Sequence, residues 1–170
     1  TPQADRPMRR PSSRKTTMPS ENRPAKVPKI PISVLVVLHD GHGNALLLER
    51  ADRAGFWQTV TGSLEAGETP AQAALREVYE ETGIALAREN LRDWQYSTEY
   101  EIYPHWRHRY PTGVTRNTEH LFSAQIPRDT PIRLSEHTAS LWLPAEKAAE
   151  KAFSPSNRDA LLRFIYSEPK

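Results

Sequence analysis

The segment Gly62-Ser63-Leu64-Glu65-Ala66-Gly67-Glu68, running without a break into Thr69 to Ile84, constrains this chain more than any other part of it. It crowds Glu68, Glu77, Glu80 and Glu81 around Arg76, a density of carboxylates that a merely solvated surface has no reason to concentrate. Thr69 is a good N-cap, Pro70 suits the first helical position because its missing N–H has no partner to lose there, and Gly83 fits the left-handed residue beyond the last turn. This punctuation predicts a helix from Pro70 to about Thr82. At about 100° per residue, Ala71, Leu75, Val78 and Thr82 share one side, while Glu77, Glu80 and Glu81 gather on another. One face packs and the other is expected to bind. Three carboxylates at i, i+3 and i+4 repel one another unless a cation sits among them, and an all-oxygen donor set suits Mg²⁺, with Mn²⁺ able to replace it. Ahead of the helix, Gly62 and Gly67 permit a tight polar loop whose backbone can approach a ligand or metal closely. Arg76 adjoins Glu77 and lies one turn before Glu80, within reach to orient a carboxylate by a charge-assisted hydrogen bond.

The sequence around this segment alternates between strand and helix patterns. The β-branched run Ile32 to Leu38 ends at His39-Asp40-Gly41-His42-Gly43-Asn44, which has the composition of a turn, and Ala45 to Arg50 continues as a second strand. Phe56 to Thr61 reads as a third strand leading into the glycine loop. Leu91 to Tyr103 reads as a long strand with room for a bend, Asn117 to Ile126 as another, and Ser140 to Leu143 as a short one. Helices are expected from Pro144 to about Ala152 and from about Pro155 to Tyr166, the latter capped by Ser154 or Ser156 and apolar at Leu161, Leu162, Phe164 and Ile165. Mixed strands, a central helix and terminal helices suggest an α/β fold, an α/β/α sandwich around a mixed sheet.

The 170 residues suit one domain with a tail. Residues 1–29 carry eight Lys or Arg against two acids, net +6, leaving 15 basic against 19 acidic residues, net −4, for the rest. Residues 1–28 are rich in Pro, Ser and Arg and nearly free of large apolar side chains, so disorder is expected there and a folded domain over 29–170. Prolines in the tail forbid the sustained amphipathic helix of a transit peptide, and without interleaved aromatics this basic arm is not expected to bind nucleic acid. There is no cysteine for disulfides or thiolate chemistry, and no apolar run of membrane-spanning length. A cytoplasmic monomer with no membrane partner is the expectation.

The spacing Gly62, five residues, Glu68, seven residues, then Arg76-Glu77-Val78-Tyr79-Glu80-Glu81-Thr82-Gly83-Ile84 resembles the Nudix box, GX5EX7REUXEEXGU with U a bulky apolar residue, at every fixed position. The resemblance implies an α/β/α sandwich and a metal-dependent hydrolase that cleaves a pyrophosphate bond with water. Position by position it implies Glu77 and Glu81 as principal Mg²⁺ ligands, Glu80 as an additional one, the Gly62 carbonyl as a donor, Arg76 orienting Glu77, and Glu68 supporting the loop. In several branches of the family a late glutamate ahead of an aromatic-apolar strand binds metal or activates water; Glu136, ahead of Leu141-Trp142-Leu143, occupies that place.

Substrate choice lies outside the box. From Glu99 to His120 the chain interleaves aromatic rings with basic groups, which suits stacking on a flat heterocycle and neutralising phosphate. This segment, with Phe56 to Ser63 and Ser156-Asn157-Arg158, is similar to the branch of the family that acts on a pterin triphosphate. The similarity implies a small-molecule triphosphate substrate, dihydroneopterin triphosphate of folate synthesis, contacted by Lys29, Arg50 and Thr61, with Tyr100, Glu101, Ile102, Tyr103 and Ser154 on the pterin side. Tyr100 and Tyr103 have the alternative of packing in the core. A hydrolase of dATP or oxidised purine nucleotides is the competing enzyme reading, and a non-catalytic ligand-binding module the competing class. Against the module stands the complete set of Glu68, Arg76, Glu77, Glu80 and Glu81. His105, His108 and His120 have no zinc-site spacing and no cysteine to assist them.

Overall fold

A computed structural model of the chain describes residues 27–135 and 137–167. Of the expected tail only Val27 and Pro28 fall within that range, and Glu136 lies outside the described residues.

The apolar run forms β1 (Ile32–His39), which is continuous in hydrophobicity because it is covered on both faces. Val34, Val36 and Leu38 point into one core together with Ala73, Ala74 and Val78 of α1 (Pro70–Thr82). Leu35 and Val37 point into the other, against Ala145, Ala148 and Ala149 of α2 (Ala145–Lys151) and Ala160, Leu161 and Phe164 of α3 (Pro155–Ser167). The result is the expected α/β/α sandwich. Its sheet contains β2 (Asn44–Arg50), β3 (Trp57–Gln58), β4 (Val60–Ser63), β5 (Leu91–Glu101), β6 (Arg116–Gln125) and β7 (His137–Pro144). The order is β3-β2-β1-β6-β5, with β4 also paired to β1 and β7 to β2. The sheet is mixed: β1 runs parallel to β6 and antiparallel to β2 and β4.

The expected strand Phe56 to Thr61 is two strands. β3 pairs with β2 and β4 with β1, and the chain changes partner at buried Thr59, whose N–H and Oγ1 both donate to Asn157 Oδ1 at 2.8 and 2.7 Å. Asn157→Ala leaves that buried N–H and hydroxyl without their acceptor, so urea unfolding is expected to show about 3 kcal/mol less stability. Strand β5 bends where its register on β6 shifts between Asp93 and Ser97, with Gln95 at φ 51° and its N–H donating to Asp93 Oδ1 at 2.8 Å. It stops at Glu101 rather than Tyr103, because Pro104 opens a 3₁₀ turn (Pro104–Arg109) and has no N–H for a ladder. Strand β7 is longer than expected, since it follows β2 along nearly its whole length from Asn44↔Pro144 to Arg50↔His137.

No helix among the described residues is long and apolar enough to cross a membrane.

Candidate active site

Helix α1 is fixed at both ends by the residues its sequence advertises. Thr69 Oγ1 accepts from Gln72 N while Gln72 Oε1 accepts from Thr69 N, a closed capping box, and Gly83 adopts φ 76° with its N–H on Tyr79 O. The residues after β6 fasten the same end: Arg133 N donates to Thr82 O at 2.8 Å and Ser135 Oγ to Glu80 O at 2.6 Å.

Arg76 is the hub of the acidic face. Its Nε and one terminal nitrogen donate to the two oxygens of Glu68 at 2.8 and 2.9 Å, a bidentate pair, and the latter nitrogen also donates to Ser63 O at 2.9 Å. Its other terminal nitrogen donates to Glu77 Oε1 at 2.8 Å and Glu80 Oε2 at 3.1 Å. One guanidinium thus ties the glycine loop to the helix and fixes two carboxylates. Its hydrogen bonds hold the Glu68 carboxyl below the usual carboxylate range, and the Glu68 contact in turn raises the guanidinium's own pKa. Burial pushes the Glu77 carboxyl up, against the opposing pull of Arg76.

The three carboxylates do not converge as the helical projection suggests. Glu77 lies within hydrogen-bonding reach of Glu81, whereas Glu80 is held outward by Arg76 and its side chain is 52% exposed. Among the described residues no group of three His, Cys, Asp or Glu side chains is placed to hold a metal ion. A spoke diagram assigns each side chain a direction but not a rotamer, and here the arginine at i−4 draws Glu80 away. Glu81 turns inward, 3% exposed, with Oε1 3.7 Å from His137 Nε2; that nitrogen lies 3.2 Å from Gln58 Nε2. The Glu77 carboxyl sits directly on Gly62: a Cβ built at position 62 would fall inside it. Two adjoining carboxylates, a backbone cradle free of side chain and all-oxygen chemistry fit a hard divalent cation.

A cavity of about 740 Å³ opens beside this cluster. Gly62, Glu81 and His137 line one part of it, and all eight residues expected at the substrate line it too: Lys29, Arg50, Thr61, Tyr100, Glu101, Ile102, Tyr103 and Ser154. Tyr100 and Tyr103 are 37% and 50% exposed, so they are wall rather than core. Tyr103 meets Trp106 edge-on with centroids 5.4 Å apart and stacks on His105 at 5.8 Å. Arg50 is braced by Asp52 through two bonds of 2.8 and 2.7 Å, and Glu101 by Arg107 at 2.6 Å. Ser154 Oγ accepts from Asn157 N and Nδ2 at the start of α3. Glu77 and Glu80 are absent from the cavity lining, and Glu136 is outside the described residues.

The match to the NUDIX domain model runs over residues 29–164, most of the chain. The chain belongs to the NUDIX family. It is 48% identical over 143 residues to the dihydroneopterin triphosphate diphosphatase of Escherichia coli K12, covering 82% of this chain and 95% of that one. It is 37% identical over 138 residues to the Haemophilus influenzae protein of the same name, covering 79% and 87%. The structure of the E. coli dihydroneopterin triphosphate pyrophosphohydrolase superposes with a TM-score of 0.77 at 46% identity, over 84% of this chain and all of that one. In this Nudix chain the box occupies β4, the loop and α1, with Arg76 as its internal clamp.

Trp106, Tyr110 and Glu119 of the aromatic and basic segment also line the cavity. His137 and Ser33 carry no signal readable in the sequence and enter through tertiary placement, and the depth of Glu119 follows only once the parallel register of β1 and β6 is known.

Proposed function

We propose that this chain is a Mg²⁺-dependent pyrophosphohydrolase of folate synthesis that converts dihydroneopterin triphosphate and water into dihydroneopterin monophosphate and pyrophosphate. The observation that carries this reading is one cavity lined by Gly62 and Glu81 at the edge of the acidic cluster, by Lys29, Arg50 and Arg109, and by an aromatic wall, which suits a charged triphosphate joined to a flat ring. The names of the relatives at 48% and 37% identity support the same substrate.

Gly62 through its carbonyl, Glu77 and Glu81, with Glu80 and Glu136 in addition, would hold the ion. A bound divalent ion neutralises phosphate oxygens and acidifies a water for attack. Arg76 aims Glu77 and opposes the burial that pushes its carboxyl up, while Glu68 keeps Arg76 in place. Glu136 is included in this set as the late glutamate ahead of Leu141-Trp142-Leu143, the place that a further metal-binding carboxylate takes in several branches of the family. Lys29, Arg50 and Thr61 bind the phosphate chain; Tyr100, Glu101, Ile102, Tyr103 and Ser154 hold the pterin. In the reaction the bond between the first and second phosphates breaks, and water supplies an oxygen to one product and its protons to the products as a whole.

Steady-state kinetics on dihydroneopterin triphosphate against canonical and oxidised nucleoside triphosphates tests the assignment. The expected kcat/KM on the pterin exceeds the best nucleotide by at least ~100-fold, or about 2.7 kcal/mol of transition-state discrimination. A flat profile would replace it with a nucleotide hydrolase acting on dATP or oxidised purines. Ligand binding without pyrophosphate release from any of them would leave a binding module.

A further inference from the structure

The face of the sheet under α2 and α3 changes character at one end. On β1 the residues Leu35 and Val37 face the apolar core there, and Ser33, two positions earlier on the same face, does not. The register continues this row across the sheet: Ser63 on β4, Ser33 on β1, Glu119 on β6 and Thr98 on β5. Ser33, Ser63 and Glu119 line the large cavity, so this row forms part of its polar floor.

Glu119 is the unusual member. It is 7% exposed, and its hydrogen-bonding neighbours are the hydroxyls of Ser33 and Ser156. No guanidinium or ammonium pairs with it among the described residues. Burial pushes its carboxyl up to about 7. Asn117 Nδ2 donates to Ser33 Oγ at 2.8 Å, fixing the hydroxyl that faces the carboxyl, and Tyr100, paired with Asn117 across the strands, stands beside it in the cavity wall. A carboxylate set this deep without a cation is costly in the free protein, and the cost is recovered when a ligand brings hydrogen-bond donors to it.

We propose that Glu119 reads the heterocycle: its two oxygens accept the ring N–H and the adjacent exocyclic NH₂ of a 2-amino-4-oxopyrimidine edge, the donor pair shared by pterins and guanine. Adenine and hypoxanthine edges lack that pair. This assignment rests on the proposed function and adds to it a determinant of which rings are accepted. Glu119 is a specificity residue in this scheme, remote from the bond that breaks. The aromatic wall supplies affinity for any flat ring, and the carboxylate supplies the choice among them.

The test uses GTP and ITP, which differ only in the 2-amino group. Their affinities are measured by calorimetry in EDTA, and the pterin kinetics with Mg²⁺, for wild type and Glu119→Gln. Wild type is expected to hold GTP at least about tenfold tighter than ITP, the cost of one hydrogen bond to a charged group. Glu119→Gln keeps the volume but turns one acceptor into a donor. It is expected to bring the two affinities within about twofold and to raise KM for the pterin at least about tenfold, leaving kcat within about threefold. Equal GTP and ITP affinities in wild type overturn the proposal, whatever the variant does. So does a folded Glu119→Gln protein with wild-type KM and wild-type discrimination. If wild type releases no pyrophosphate from the pterin, the proposed reaction fails and the calorimetric ratio alone decides the role of Glu119.

Discussion

Glu81→Gln is expected to lower kcat/KM on the pterin triphosphate by at least about a thousandfold, close to 4 kcal/mol of transition-state stabilisation. The substitution is nearly isosteric at a site only 3% exposed, so it creates no cavity; what it removes is one of two adjoining carboxylates at the edge of the substrate cavity. Without metal those two charges oppose each other and the helix would be better off with one of them neutral. The variant in EDTA is therefore expected to unfold at the same temperature as wild type or higher. Adding Mg²⁺ should raise the wild-type midpoint and leave that of the variant nearly unmoved, because only a ligand that binds the folded state shifts it. Turnover within tenfold of wild type would remove Glu81 from the set proposed to hold the ion.

Gly62→Ala should be nearly as damaging for a different reason. The backbone at position 62 lies in a region any residue can adopt, so the obstacle is space alone: the new methyl would occupy the volume of the Glu77 carboxyl. Glu77 must swing away, giving up its 2.8 Å bond from Arg76. A loss of at least about a hundredfold in kcat/KM is expected, against a stability cost of only about 1–2 kcal/mol, since the end of a flexible side chain can yield. The double variant Gly62→Ala with Glu77→Asp shortens the side chain that blocks the methyl. Its activity should exceed the product of the two single losses, as residues in contact do not add. Strict additivity would mean that the glycine serves the loop and not the carboxylate.

The local part of this structure was legible because it is written locally. Thr69, Pro70 and Gly83 announce the helix ends through their own hydrogen-bonding capacity and backbone preference, and they sit where that chemistry places them. The run through Val34 to Leu38 announces a strand covered on both faces. Other features depend on residues distant in sequence. The break at Thr59 is imposed by Asn157, 98 positions later, so Phe56 to Thr61 shows no sign of it. Helical spacing brought Glu77, Glu80 and Glu81 to one side, yet it could not show that Arg76 pairs outward with Glu80 while Glu81 turns toward His137 on another strand. Glu119 stood in the aromatic and basic segment without distinction, because its depth follows from the parallel pairing of β6 with β1, and no local pattern encodes a parallel partner.

The central claim, a metal-dependent pyrophosphohydrolase acting on a pterin triphosphate, is tested most directly by following products from dihydroneopterin triphosphate in Mg²⁺ and in EDTA. The account expects one pyrophosphate for each dihydroneopterin monophosphate, with no orthophosphate, and no products once the metal is removed. Release of orthophosphate, or turnover that survives EDTA, would contradict it.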